Sequence, residues 1–260
     1  MRQTAVWRGR SKNNNHSAAK AFCRRPKFLE IQKPFYKKVF GRILKGGALK
    51  KSKGGYSMNN KIKIAVFVSG GGTNLQALMD AQDAGILHSG EISLVVASNP
   101  TAYALERAKK KNIPTAVAFK KELGSQEAFE AAIESALAEH HIDLIVLAGF
   151  MTILSADFTK KWDERIINVH PALIPSFCGK GMYGLAPHIA ALEKGVKVTG
   201  ATVHFVNEIP DGGKILLQKA VEVREGDTPE ILQRRVMEEA EWIILPKAVE
   251  MVSAQMLNEG

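Results

Sequence analysis

From residue 61 onward, short apolar runs alternate with segments whose apolar residues recur every three to four positions. Residues 62–68, 92–97, 114–119, 142–148 and 165–170 read as strands, and residues 74–84, 102–111, 125–140, 155–162 and 187–194 as helices. Strands that alternate with helices need crossover connections. The pattern therefore predicts an α/β fold with a Rossmann-like, mostly parallel twisted sheet flanked by helices. The run 142–148 is apolar but for Asp143, as expected of a strand buried on both faces.

Past Pro171 the pattern changes. A glycine-rich loop spans 177–185, and residues 196–206 and 214–223 read as longer strands of antiparallel type in the C-terminal part. Residues 227–252 close the pattern as a helix, with Asp227 as N-cap, Pro229 in the first turn and Glu230 at the positive end. Pro246 is expected to kink or restart it.

Charge divides the chain. The formal net charge is +10, yet residues 1–57 hold 16 Lys/Arg and one acid, Glu30, which leaves 20 bases against 25 acids in the remainder. We therefore read residues 1–57 as a basic leader with little packed structure and residues 58–260 as one folded domain. Three readings of the leader stay open: a nucleic-acid-binding arm, an organelle transit peptide, and translated upstream sequence. For the third, residues 53–58 back-translate as AAA GGA GGN TAY TCN ATG, a purine-rich bacterial ribosome-binding sequence ahead of Met58. Only Cys23 and Cys178 occur, and no apolar run approaches the roughly 20 residues that span a bilayer. A reducing, cytoplasmic setting is expected.

The first strand runs into Ser69-Gly70-Gly71-Gly72-Thr73-Asn74 ahead of a helix. Glycines there let amides approach an anion, and the helix N-terminus adds partial positive charge. The spacing fits neither a dinucleotide fingerprint nor a nucleoside-triphosphate loop, so a phosphate monoester suits it better; a plain strand-to-helix turn is the alternative. Farther on, Asn168 and His170 stand two apart in a strand and share a face, with Pro171 ending it. An amide and an imidazolium at the carboxyl end of a strand can stabilise an oxyanion in acyl transfer. Asp211, in a loop between two strands, can approach His170 and raise its pKa. A buried, satisfied His and an ordinary Pro-Asp-Gly-Gly turn account equally well for these residues taken singly.

Together with residues 147–151, 200–206 and 211–213, these motifs resemble the folate-dependent formyltransferases, and the glycine turn resembles their phosphoribosylglycinamide-formylating branch. The resemblance covers residues 61–252 and none of the leader. It implies transfer of the formyl group of 10-formyltetrahydrofolate, a co-substrate, to a phosphorylated amine in purine biosynthesis, with no metal. Asn168, His170 and Asp211 are then catalytic. Gly72, Thr73 and Asn74 would hold the substrate phosphate, and Glu241 the ribose hydroxyls. The pterin would lie against Met151, Thr152, Ile153 and Leu154, near Asn168, and against Val206, Asn207, Glu208, Ile209 and Pro210.

Small-molecule partners are expected, with a monomer or homodimer, no membrane and no nucleic acid. Gln126 and Thr152 depart from the family pattern, which has Arg at both positions, so charged contacts from them to the folate tail are not expected. The loop 176–187 is longer than usual and reads as a mobile flap, with Cys178 incidental. His188 is placed in the flap or a helix cap, and His204 is read as a packing residue of a strand. Hydrolysis of the same folate is the alternative within the superfamily, and nucleic-acid binding through the leader the alternative outside it.

If translation starts at Met58, N-terminal sequencing of the natural protein will find no residue upstream of it; a mature chain beginning earlier refutes that start.

Overall fold

The computed structural model of the protein describes residues 61–259. The expectations for residues 1–57 lie outside the described residues. Seven strands form one sheet: β1 (Ile62–Val68), β2 (Gly90–Ala97), β3 (Thr115–Val117), β4 (Leu144–Leu147), β5 (Ile166–His170), β6 (Val198–Phe205) and β7 (Ile215–Glu222). Their order is β3-β2-β1-β4-β5-β6-β7. Strands β1 to β5 pair in parallel, whereas β6 runs antiparallel to β5 and β7 to β6. The expected α/β sheet with an antiparallel C-terminal part is thus what forms.

The helices are α1 (Thr73–Asp83), α2 (Tyr103–Lys110), α3 (Lys120–Leu123), α4 (Gln126–Glu139), α5 (Ala156–Lys161), α6 (Ala186–Lys194), α7 (Pro229–Val236) and α8 (Trp242–Glu259). The period-2 geometry of β1 sends its side chains alternately into two cores. Ile62, Ile64, Val66 and Val68 join Leu75 and Leu78 of α1 and Leu245 and Val249 of α8 on one face. Ala65 and Phe67 join Phe129, Ile133 and Leu137 of α4 on the other. Those three α4 residues are spaced four apart and make one buried stripe, and Ser125 caps the helix by accepting from the Ala128 N–H. Each fully buried large apolar side chain contributes roughly 1.5–3 kcal/mol.

The C-terminal helix differs from expectation. Thr228, not Asp227, caps α7, accepting from the Ile231 N–H. Asp227 is engaged elsewhere: Arg235 grips its carboxylate with both terminal guanidinium nitrogens, Nη1 and Nη2, at 2.5 and 2.6 Å, and the Arg224 N–H donates to it at 2.8 Å. These bonds, Arg235 foremost, hold the Asp227 carboxyl below the usual carboxylate range. Five residues in π-helical conformation, Met237–Glu241, join α7 to α8. Pro246 stays inside α8, which runs on to Glu259. A proline there costs about 3 kcal/mol, and burial of Leu245, Ala248, Val249 and Val252 offsets it.

At Gly200 on β6, a Cβ would stand 2.0 Å from the Lys219 carbonyl oxygen of β7. Gly200→Ala is therefore expected to destabilise the protein by roughly 1–3 kcal/mol, read as a lower urea midpoint. An unchanged midpoint would mean that the β6–β7 pair can part without cost.

Candidate active site

Strand order reverses beside β1, so connections leave β1 and β4 on opposite sides and open a crevice at their carboxyl ends. Here the two exits are tied together. The Ser69 N–H donates to the Gly149 carbonyl at 3.1 Å, and the Ser69 hydroxyl accepts from the Met151 N–H at 2.8 Å.

The glycine turn opens α1 directly. Gly72 is its N-cap at φ 69°, and a Cβ there would stand 2.7 Å from that of Ala104, so packing alone demands glycine. Gly70 and Gly71 are different. Neither has a left-handed φ nor any atom within 4 Å of an added Cβ, so neither strain nor packing requires them to be glycine. Open backbone ahead of a helix N-terminus suits close approach of an anion. Arg107 of α2 braces the turn, donating from Nε to the Gly71 carbonyl at 2.8 Å and from Nη1 to Gln76 at 2.9 Å.

Asn74, in the first turn of α1, donates from Nδ2 to Glu241 at 2.7 Å across 167 residues of sequence. Both are buried, and Asn74 Oδ1 has no partner. Burial pushes the Glu241 carboxyl up to about 7, against the pull of the Asn74 hydrogen bond. The proposed phosphate turn and Glu241 are thereby brought together.

On β5, Asn168 and His170 point the same way, as their spacing predicts. His170 is 3% exposed. Its Nε2 lies 2.8 Å from the Phe177 carbonyl and its Nδ1 3.4 Å from Asp211 Oδ2. Both neighbours accept hydrogen bonds. Burial nevertheless pulls the His170 pKa below its ordinary value, outweighing the Asp211 charge and the Phe177 carbonyl that raise it, while His204 lowers it further. The expectation that Asp211 raises this pKa holds for the pair alone, and desolvation reverses the net direction. Asp211 itself sits low. Burial works to raise its pKa, but His204 beside it, the hydrogen bond from the Gly179 N–H and the charge of His170 overcome it.

His204 on β6, read from sequence as packing, belongs to the cluster. Its Nδ1 lies 2.7 Å from the Phe205 carbonyl, which can only accept, so Nδ1 carries the proton. Nε2 is then free to accept from Asn168 Nδ2 at 3.2 Å. A second neighbour, Asp211 Oδ1 at 3.5 Å, would instead need a proton on Nε2; we assign the shorter contact. His188, expected in the flap or a cap, is fully buried in α6, its ring nitrogens unpartnered. Burial, aided by His170, pulls its pKa down to about 4.

The two segments expected at the co-substrate line separate spaces. Met151, Thr152, Ile153 and Leu154 line a cleft of about 540 Å³ with Lys120, Gln126 and Ser155. Asn207 and Glu208 line another of about 580 Å³ beside α5. Val206 packs on the apolar core, and Ile209 accepts from the Gly212 N–H in the turn before the sheet resumes. Pro210 lies in that turn. Lys120, missed in the sequence, is cationic and hydrogen-bonds Gln126 at 2.6 Å. Sequence spacing offered no signal for it, because the cleft joins α3 to the β4–α5 connection. Among the described residues, no helix is long and apolar enough to cross a membrane.

A family model described as formyl transferase matches residues 62–249. The trifunctional purine biosynthetic protein adenosine-3 of Gallus gallus is 44% identical over 206 residues, covering 79% of this chain and 20% of that protein. The chain thus spans about a fifth of the length of that relative. The phosphoribosylglycinamide formyltransferase of Haemophilus influenzae is 40% identical over 187 residues, 72% of this chain and 85% of the relative. The crystal structure of glycinamide ribonucleotide transformylase 1 from Symbiobacterium toebii superposes with a TM-score of 0.72 at 38% identity, covering 79% of this chain and 94% of that one. The carboxyl-edge cluster, the sheet order and these matches agree: the chain belongs to the formyl transferase family.

Proposed function

We propose that residues 58–260 form a phosphoribosylglycinamide formyltransferase that uses 10-formyltetrahydrofolate as co-substrate. The observation that carries the proposal is the convergence of Asn168, His170 and Asp211 at the end of β5, in a sheet whose β1 leads into a glycine turn at a helix N-terminus. Gly72, Thr73 and Asn74 take the phosphate and Glu241 the ribose hydroxyls. Met151 to Leu154 and Val206 to Pro210 flank the pterin. A cytoplasmic enzyme, as monomer or homodimer, fits this reading.

Each catalytic residue has a task that its geometry suits. Asn168 spends one Nδ2 hydrogen on His204 and keeps the second for the formyl oxygen, which gains negative charge as the amine attacks the formyl carbon. His170, protonated, stabilises the same oxygen through its positive charge. Asp211 accepts the proton shed by the attacking amine, directly or through water. Collapse of the tetrahedral adduct breaks the bond from the formyl carbon to the folate nitrogen, and that nitrogen takes up a proton. Burial disfavours the imidazolium, and the Asp211 carboxylate and the Phe177 carbonyl work to restore it.

The folate absorbance assay tests the proposal: turnover is expected only with glycinamide ribonucleotide present, whereas acceptor-independent turnover assigns the site to hydrolysis. In the same assay Asn168→Ala should lose about two to three orders of magnitude in turnover, since one oxyanion donor is worth ~3 kcal/mol. Near-normal turnover removes Asn168 from the mechanism.

Glu241 makes stability depend on pH. Its folded pKa, about 7, exceeds the ordinary 4.5, so the folded state binds the extra proton between those values and stability falls as pH rises through that window. The loss is expected to approach about 3 kcal/mol, and Glu241→Gln should abolish it. Urea denaturation at pH 5 and pH 7.5 measures both, and an equal slope in the two proteins rejects the assignment.

A further inference from the structure

Five non-glycine residues among those described have a left-handed φ. Asn112 and His141 follow the C-terminal ends of α2 and α4, and Glu164 lies in the turn before β5, places where such a φ is common. The other two, Phe177 at φ 50° and Asp211 at φ 57°, come from different loops and meet at one side chain, His170. Asp tolerates this conformation through local hydrogen bonding; an aromatic residue has no such compensation. Phe177 is therefore held there by its surroundings.

Its carbonyl ends 2.8 Å from His170 Nε2. Two residues on, the Gly179 N–H donates at 2.8 Å to Asp211 Oδ2, the same oxygen that faces His170 Nδ1. The circuit closes: His170 to the Phe177 carbonyl, along the chain to the Gly179 amide, across to Asp211, and back to His170. The turn thus grips the imidazole at one nitrogen and the carboxylate partnered with the other.

We infer that residues 177–179 are a positioning device for the reaction: the strained main-chain carbonyl of Phe177 and the amide of Gly179 hold His170 and Asp211 as a pair in which both imidazole nitrogens donate. Phe177 acts through its backbone, and its ring is not the active group. A neutral imidazole has one N–H and satisfies only one of these acceptors, whereas imidazolium satisfies both. The other titratable groups around the ring do not compete for this role. His204, from β6, has Nε2 turned to Asn168 and Asp211, and His188, from α6, is kept neutral by burial. Cys178, between the two gripping residues, donates from Sγ to the Pro175 carbonyl instead.

The inference rests on the formyl-transfer reading only for its catalytic consequence; the His170–Asp211 pair can be tested without substrate. The full chain with isotopically labelled histidine is titrated by NMR, following the His170 ring. Four variants are compared with the parent: Phe177→Gly, which relaxes the left-handed constraint; Phe177→Tyr, which keeps it; and Cys178→Ala without and with an ester in place of the 177–178 amide, the ester weakening the Phe177 carbonyl as an acceptor. Losing a bond that favours the charged form lowers the His170 pKa, so Phe177→Gly and the ester should titrate lower by on the order of one pH unit. Phe177→Tyr should match the parent. Where formyl transfer is measured, the alkaline fall of kcat moves to lower pH by the same amount, while the KM for the acceptor is unchanged. A His170 titration that is the same in parent, Phe177→Gly and ester overturns the inference. If Phe177→Gly fails to fold, the ester decides alone. Absence of formyl transfer in the parent refutes the proposed function and leaves the titration result standing.

Discussion

Strands β1 and β4 are buried on both faces and so have no polar face on which to carry chemistry. Function must then sit where these strands stop. The reversal of strand order between them decides which end that is, because the chain leaves β1 and β4 towards opposite sides of the sheet and the exits cannot fill the space between. The glycine turn, the segment around Gly149 and the end of β5 all border that gap. Shifting β5 by one residue would turn Asn168 and His170 to the opposite face and bring Val169 to theirs.

Within the crevice, desolvation sets the terms. His170 is almost fully enclosed, which disfavours its charge, while every atom placed at its ring nitrogens accepts a hydrogen bond, which favours it. The opposed effects leave the imidazole responsive to what enters the site. Glu241 lies under the same constraint with opposite sign. Buried beside a single neutral donor, Asn74, it retains a proton that an exposed carboxyl would have lost. Both groups are therefore poised for a ligand to change their charge, which is how perturbed residues in a cleft acquire function.

Several departures from the sequence reading share one cause. Asp227 is a good helix cap by residue type, but Arg235, two turns later on the same helix, draws its carboxylate away and leaves the cap to Thr228. His204 looks like packing within β6, and it is buried, yet the antiparallel register opposite Asn168 turns its ring nitrogen to the amide. His188 follows the glycine-rich loop in sequence and lies in the core in space. In each case the local pattern named the element correctly, and a partner distant in sequence or in turn decided the side chain's role.

What the sequence determined by itself is the alternation of strand and helix, the antiparallel C-terminal part, the glycine turn and the pairing of Asn168 with His170 on one strand face. All of these follow from periodicity or from residue types that act within a few positions. Tertiary structure alone decided that Glu241 reaches Asn74 across 167 residues, that Lys120 joins the cleft of Met151 to Leu154, and that Phe177 and Asp211 close on His170 from two loops. Those contacts depend on which strands lie adjacent and on where desolvation outweighs hydrogen bonding, and neither is written in any single stretch of the chain.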